Sequence, residues 1–266
     1  MRLSPFLRAS VALHAAAVPA LAVAPHRWPF IAGALIANHY VTIVGGLLPR
    51  SALLGPNLRR SAAAEQAGAV VLTFDDGPDP EVTPDVLDLL DARGARATFF
   101  CIGEHAARNR ALAAEIARRG HRLENHSHTH SNGFFFHSPA RLDREIGRCQ
   151  EELHRASGRA PWFFRAPAGI RSPLLESALG RAGLRLASWT RRGFDTASRD
   201  PVAIASRLTR DLSAGDVVLL HDGASHRGHR RDPIVLRALP RVLDAIEVAG
   251  LRTMPLMDDV VEPPRV

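Results

Sequence analysis

Val70-Val71-Leu72-Thr73-Phe74-Asp75-Asp76-Gly77-Pro78 is an apolar run that stops on two adjacent carboxylates, after which Gly-Pro turns the chain. Neighbouring side chains on a strand point to opposite faces, so Asp75 and Asp76 share one site only where the strand has ended and a turn has begun. Taken alone, the pair is equally well a strand-ending Asx-turn with both carboxylates in water. The rest of the chain decides between the two.

From Ala69 onward, short apolar segments alternate with amphipathic ones. Strands are expected at 69–74, 97–102, 122–125, 162–164, 184–189 and 216–220, with a last one near 251–254, and helices at 83–92, 104–119, 140–156 and 235–249. Thr83-Pro84 and Ser172-Pro173 read as helix starts, a capping residue followed by proline at the first helical position. Repeated strand-then-helix order implies a parallel sheet in an α/β fold, and about seven such units over roughly 200 residues favour a closed or nearly closed barrel. In such a barrel chemistry collects at the carboxyl ends of the strands. Polar clusters stand at those ends one after another: Asp75 and Asp76; His126, His128 and His130; Arg165-Ala166-Pro167-Ala168-Gly169; Asp195; and His221-Asp222-Gly223.

Composition narrows the options. Of the net charge of +7, six belong to the first 60 residues, which hold six Arg and no acid, and only +1 to the remaining 206. The larger part therefore carries no basic face for phosphates, and no nucleic-acid partner is expected. The chain has no Lys, which excludes a P-loop lysine and a pyridoxal-phosphate Schiff base. Cys101 and Cys149 are too few for a disulfide framework and too far apart in sequence for a zinc knuckle.

The first 60 residues read as a separate anchoring segment, with a catalytic domain over 66–266. Between Arg8 and Arg27 lie 18 uncharged residues, and between Arg27 and Arg50 another 22, against the roughly 20 needed to cross a bilayer. A retained hydrophobic helical hairpin, with membrane contact through residues 9–48, stands beside a cleaved signal peptide, whose site after Ala24 Pro25 would oppose. Pro19, Asn38 and His39 weaken each span. Arg50, Arg59 and Arg60 outnumber Arg27, so the positive-inside rule puts both ends, and the large domain, on the cytoplasmic side of a bacterial-type inner membrane.

His126 and His130 are four apart, so one helical turn would bring both rings to one side. With Asp76 they make a two-histidine, one-carboxylate set that leaves positions open for water, as a catalytic zinc requires. A His-rich loop alone is as well explained by surface hydrogen bonding. There is no His-Glu-x-x-His and no Gly-x-Ser-x-Gly, which removes the zinc-protease arrangement and the serine-hydrolase elbow.

Thr73 to Pro78, His126 to His130 with its Ser127, Arg165-x-Pro167-x-Gly169, Asp195 and Leu220-His221 stand in the order and approximate spacing of a known family. From about Ala69 to Met254 the chain resembles the polysaccharide deacetylases of carbohydrate esterase family 4, the NodB-homology domain. The resemblance implies a distorted (β/α)7 barrel and hydrolysis of N-acetyl groups on an amino-sugar glycan, whether a polysaccharide, peptidoglycan or a lipid-linked sugar. It also implies Zn2+, or another divalent metal such as Co2+, held by Asp76, His126 and His130. A bound zinc brings the pKa of water to about 7, and Asp75, beside the ligand Asp76, is placed to take the water proton as general base. Arg165 would hold Asp75 in position, or form an ordinary rim ion pair.

The resemblance puts the oxyanion donor at the N–H of Ala168, where family members usually carry an aromatic residue; a main-chain donor survives that change. His221 is the candidate general acid, its pKa raised by Asp195. Around Asp195 the chain reads Arg192-Gly193-Phe194-Asp195-Thr196 and lacks the family's Asp-x-x-Asp-Trp, so the acetyl pocket is expected to be walled differently, by Trp189, Phe194 and Leu219, unless these pack the core. A catalytically silent glycan-binding protein, and a metal hydrolase of the same barrel acting on a non-sugar amide, remain as other readings.

Overall fold

The computed structural model of the chain describes residues 3–223 and 233–257; residues 224–232 and 258–266 of the expected catalytic domain lie outside them. Two apolar helices come first, α1 (Pro5–Val23) and α2 (Trp28–Leu47), joined by a single 3-10 turn. The polar residues that weaken each span meet across the hairpin. Asn38 donates to Ser10 Oγ at 2.8 Å, and the Nε2 atoms of His14 and His39 lie 3.3 Å apart. Val18, Val23, Phe30, Ile36 and Tyr40 face outward and exposed.

After α3 (Ala62–Gln66) the order is β1 (Ala69–Asp75), α4 (Thr83–Asp91), β2 (Ala97–Cys101), α5 (Gly103–Arg108), α6 (Arg110–Arg118), β3 (Arg122–Asn125) and α7 (Pro139–Ser157). It continues with β4 (Phe163–Phe164), α8 (Leu175–Arg181), β5 (Arg185–Leu186), β6 (Arg191–Arg192), α9 (Pro201–Thr209), β7 (Val217–His221), α10 (Ile234–Val248) and β8 (Arg252–Thr253). The sheet runs β5-β4-β3-β2-β1-β7-β6, with β8 against the start of β1, and its pairings are parallel. β1 is buried along its whole length, which is why it reads as a continuous apolar run.

The period of two sorts β1 into faces. Val70, Leu72 and Phe74 pack outward under helices, in one core with Leu87, Leu239 and Val242, while Ala69 and Val71 join Phe100, Phe163, Trp189, Val217 and Leu219 in a second, interior core. Thr73 and Asp75 continue the interior set at the barrel mouth, and on β7 His221 follows Val217 and Leu219 in the same way.

β5 and β6 are consecutive in the chain yet lie at opposite sheet edges, and the chain between them closes the curl. The expected strand at 184–189 is therefore paired only over Arg185–Leu186. Ser188 N donates to Leu58 O (2.8 Å), Leu58 N to Leu186 O (2.9 Å) and Thr190 N to Val217 O (3.0 Å), while Arg60 pairs with Asp216. Residues 58–60 thus fill the seam between the two edges.

Four local expectations are corrected. The 104–119 helix is two helices, because Asn109 sits at φ −120°, ψ 49°. Thr83 is not a cap; its hydroxyl accepts from Asp79 N and donates to Asp222. The helix after Ser172 begins at Leu175, with the Ser172 hydroxyl accepting from Leu174 N. α9, capped by Asp200 and opened by Pro201, was not expected. The cysteines are buried free thiols, both pushed up by burial.

Buried Asp216 accepts from Arg60 (2.7 Å), from Arg191 Nε (3.1 Å) and from Ser213 N (3.0 Å), tying the seam to β6 and β7. Asp216→Ala leaves these donors unmatched and is expected to cost about 2–4 kcal/mol, read as a lowered unfolding temperature of the purified protein; an unchanged one would mean the seam closes without this carboxylate.

Candidate metal and catalytic site

β1 delivers Asp75 to the interior face, and the next residue departs from strand geometry. Asp76 has φ 74°, in the left-handed region that Asp tolerates better than most residues. The turn swings its carboxylate to the side where Asp75 already points, which resolves the alternation problem. The fold reaches this turn through close packing: a Cβ on Gly77 would enter the Asp222 carboxylate, and one on Gly223 would enter the Asp76 carbonyl.

Asp76 Oδ1 lies 3.2 Å from His126 Nε2 and 3.3 Å from His130 Nε2. The three ligand atoms lie within 4.8 Å of one another. The histidines do not converge on a helix, as the spacing had suggested. His126 to His130 form a loop in which Ser127 (φ 62°) and His130 (φ 49°) are left-handed, and this folds the second ring back on the first. The loop is held from behind. Asn125 Oδ1 accepts from Ser127 N (2.9 Å), Ser127 Oγ from His130 N (3.1 Å), and Glu145 of α7 from His128 N, Thr129 N and the Thr129 hydroxyl. His128 itself stays off the cluster.

The donors suit a cation. His126 Nδ1 lies 2.9 Å from the Arg165 carbonyl. A carbonyl only accepts, so Nδ1 carries the hydrogen and Nε2 offers its lone pair toward Asp76. Asp76 Oδ1 is buried and makes no hydrogen bond. A buried carboxylate oxygen facing two imidazole nitrogens is a poor resting arrangement without a positive charge among them. Two nitrogens and one oxygen are the donor set of an open, borderline-soft divalent site. Burial opposes ionisation of Asp76, yet the contact with His126 and the charges of His126, His221 and His130 hold its carboxyl well below the usual range. Burial opposes protonation of His126, but Asp75 and Asp76 raise it on balance; burial and His126 lower His130.

Asp75 stands outside this triad. Its Oδ1 is bound by Arg165 Nη1 at 2.6 Å, and its Oδ2 is 3.9 Å from His126 Nε2. Arg165 is buried, so the rim-ion-pair alternative fails: it also donates to Thr73 Oγ1 (2.8 Å), Ala187 O (3.3 Å) and Ser188 O (3.0 Å), and lies 3.9 Å over the Phe100 ring. Across the mouth, Asp195, with no exposure at all, accepts from His221 Nδ1 (2.9 Å) and from His221 N (2.7 Å). Burial lowers His221, but Asp195 overrides it and pushes the imidazole up to about 9.

Ala168 is exposed at φ 54° in the Pro167–Gly169 turn, and no hydrogen bond of its N–H is found among the described residues. Trp189 packs on the same turn, where a Cβ on Gly169 would come within 2.6 Å of its ring. Leu219 is buried in the interior core with Phe100 and Val217, whereas Phe194 is about half exposed.

A peptidoglycan N-acetylglucosamine deacetylase of Bacillus cereus is 33% identical over 188 residues, 69% of this chain and 84% of the relative. The chain belongs to carbohydrate esterase family 4. This polysaccharide deacetylase, a hydrolase, also matches the family model "Polysaccharide deacetylase" over residues 62–187. A chitooligosaccharide deacetylase of Bradyrhizobium is 34% identical over 196 residues, 71% of this chain and 89% of the relative. The solved family 4 carbohydrate esterase of Streptomyces lividans, in complex with acetate, superposes with a TM-score of 0.63 at 34% identity, over 70% of this chain and 91% of that one.

Two residues around this site, Glu145 and His105, escaped the sequence reading, and a third, Asp222, stood in it only as a neighbour of His221. Glu145 braces the histidine loop, and His105 Nδ1 lies 2.8 Å from the Asp76 carbonyl. Asp222, pushed up to about 7 chiefly by burial, accepts from Thr83 against the Asp-Asp turn. A glutamate on the buried face of an amphipathic helix was the one available signal. His126→Ala is expected to abolish Zn2+ binding in calorimetric titration. Glu145→Ala, which frees the loop without removing a ligand, should weaken it about 10- to 100-fold; wild-type affinity in both would place the ion elsewhere.

Proposed function

We propose that this enzyme removes the N-acetyl group from an amino-sugar glycan by metal-dependent hydrolysis. The observation that carries the reading is the pairing on either side of the Asp76, His126 and His130 cluster: a carboxylate locked to a buried arginine, and an imidazole locked to a buried aspartate. Those are the two poises an amide hydrolysis needs, a base for the water and an acid for the departing amine.

A divalent ion held by Asp76, His126 and His130, zinc or cobalt by its donor set, supplies Lewis acidity toward a water and a carbonyl oxygen. The chain's own residues carry the protons. With Oδ1 tied to Arg165, Asp75 keeps Oδ2 turned toward the cluster to accept a proton from water. His221, its Nδ1 committed to Asp195, presents Nε2–H to the sugar nitrogen. The Ala168 N–H is free to donate to the oxyanion that forms as the carbonyl is attacked. The exposed Phe194 is the apolar wall available to the acetyl group; Trp189 and Leu219, both buried in the interior core, support it from behind. The printed names of the relatives favour peptidoglycan or chito-oligosaccharides as the substrate class.

The N-terminal hairpin reads as a membrane anchor for the enzyme. Its helices of 19 and 20 residues rise about 28–30 Å at 1.5 Å per residue, the thickness of a hydrocarbon core. Its exposed face is apolar, and its polar groups pair internally. The arginines following α2 favour a cytoplasmic catalytic face.

Acetate release from N-acetylglucosamine oligomers is expected to stop with a chelator and return with Zn2+ or Co2+; release indifferent to the chelator rejects the mechanism. Asp75→Asn should lower kcat at least 100-fold with metal affinity kept; loss of the metal instead would make Asp75 a ligand. His221 acts protonated, so activity should fall as pH rises through about 9. Asp195→Asn removes the interaction that raises it, moving that alkaline limb toward the ordinary imidazole value near 6.5, measured as kcat against pH.

A further inference from the structure

The end of α2 is fastened to the mouth of the catalytic site. Arg171 N donates to Gly46 O at 3.0 Å, and its guanidinium to Ser51 O and Gly55 O. Pro49, two residues past the helix, packs on the Ala168 turn, where a Cβ on Gly169 would lie 2.8 Å from its Cβ. A hairpin that spans a bilayer therefore holds the site against the membrane surface rather than out on a tether.

Beside that turn opens a cavity of about 340 Å3 between α2's end, β6 and α9, whose lining includes Arg50, Arg191, Arg192, Arg207, Trp189 and Phe194 and no acidic residue. Asp216 neutralises Arg191 from behind. Among the described residues the other three have no carboxylate partner: Arg50 and Arg207 make only long bonds to main-chain carbonyls, 3.3 and 3.4 Å, and Arg192 Nε is buried with no hydrogen bond. Arg192 instead lies over the rings of Trp189 (5.5 Å) and Phe194 (4.9 Å). The same Trp189 ring has the catalytic Arg165 at 5.8 Å, so one indole separates the arginine cavity from the reacting centre. Uncompensated guanidinium groups in a cavity are a phosphate site by charge and by fork geometry.

We propose that the cavity holds the phosphate or diphosphate of a membrane-resident substrate, an N-acetylated amino sugar linked through that phosphate to a lipid. The sugar lies between the cavity and the cluster of Asp76, His126 and His130 with its acetamide toward the cluster, and the lipid chain stays in the bilayer beside the hairpin. This rests on the deacetylase reading and names its substrate.

The test uses the full chain in phosphatidylcholine nanodiscs and two probes: N-acetylglucosaminyl diphosphate on a short isoprenoid, and the phosphate-free N-acetylglucosaminide of the same chain. The wild type is expected to favour the diphosphate at least tenfold in kcat/KM for acetate release. R192Q/R207Q should bring that ratio close to one, and Arg50→Gln, on the exposed rim, should lower it partly should the double variant not fold. Equal use of the probes by the wild type, or a ratio that survives the substitutions, overturns the proposal. Direct binding of both probes is measured in parallel. Selective binding that the substitutions erase, without acetate release from any sugar, upholds the cavity and fails the deacetylase reading. Should the substitutions lower binding only to discs containing phosphatidylglycerol, the arginines serve lipid headgroups and the proposal is overturned.

Discussion

Burying a guanidinium costs several kcal/mol unless every donor is matched, and Arg165 is buried at the centre of this barrel. Its side chain satisfies that demand by binding Asp75 and Thr73 on β1 and the carbonyls of Ala187 and Ser188 on the segment that closes the curl. Its own carbonyl fixes the hydrogen of His126 on Nδ1. One residue thereby orients the proposed base Asp75, sets the tautomer of His126, a proposed ligand, and joins the central strand to the seam. Burial lowers the Arg165 pKa and Asp75 raises it, so the pair stands only while the surrounding barrel keeps both partners in place.

The second constraint is proximity of main chain. The turn after β1 and the turn after β7 meet so closely that Gly77 and Gly223 admit no side chain. That contact puts Asp76 and His221 at one mouth, although they stand 145 positions apart in the chain. Asp222, held by Thr83, fills the angle behind them. Polar residues in this region brace backbone so that the few that face the mouth are aimed.

Much of this was legible in the sequence because it rests on period and punctuation. A continuous apolar run marks a strand buried on both faces, and the Asp-Asp-Gly-Pro that ends it marks the turn. The histidine loop was legible in its residues and misread in its geometry, since nothing in Ser127 or His130 announces a left-handed backbone. Glu145 and His105 act on main chain from distant elements; a glutamate on a helix's buried face hints at the first, and no local pattern marks the second. α9 is a different case: Asp200-Pro201, a capping residue followed by proline, is a local start signal. The seam at residues 58–60 was hidden because closure by two isolated bridges has no periodicity at all.

The segment that follows the hairpin packs on the Pro167–Gly169 turn, so hairpin and barrel are parts of one construction rather than two modules in series. The proposed mechanism depends on one ion bound by Asp76, His126 and His130 with Asp75 left outside. X-ray absorption spectroscopy of the zinc-loaded protein tests this most directly. Two imidazole nitrogens and one protein carboxylate oxygen at about 2.0–2.2 Å, with the same spectrum in Asp75→Asn, are predicted; a shell with fewer than two histidines, or one that loses a carboxylate in Asp75→Asn, would contradict the account.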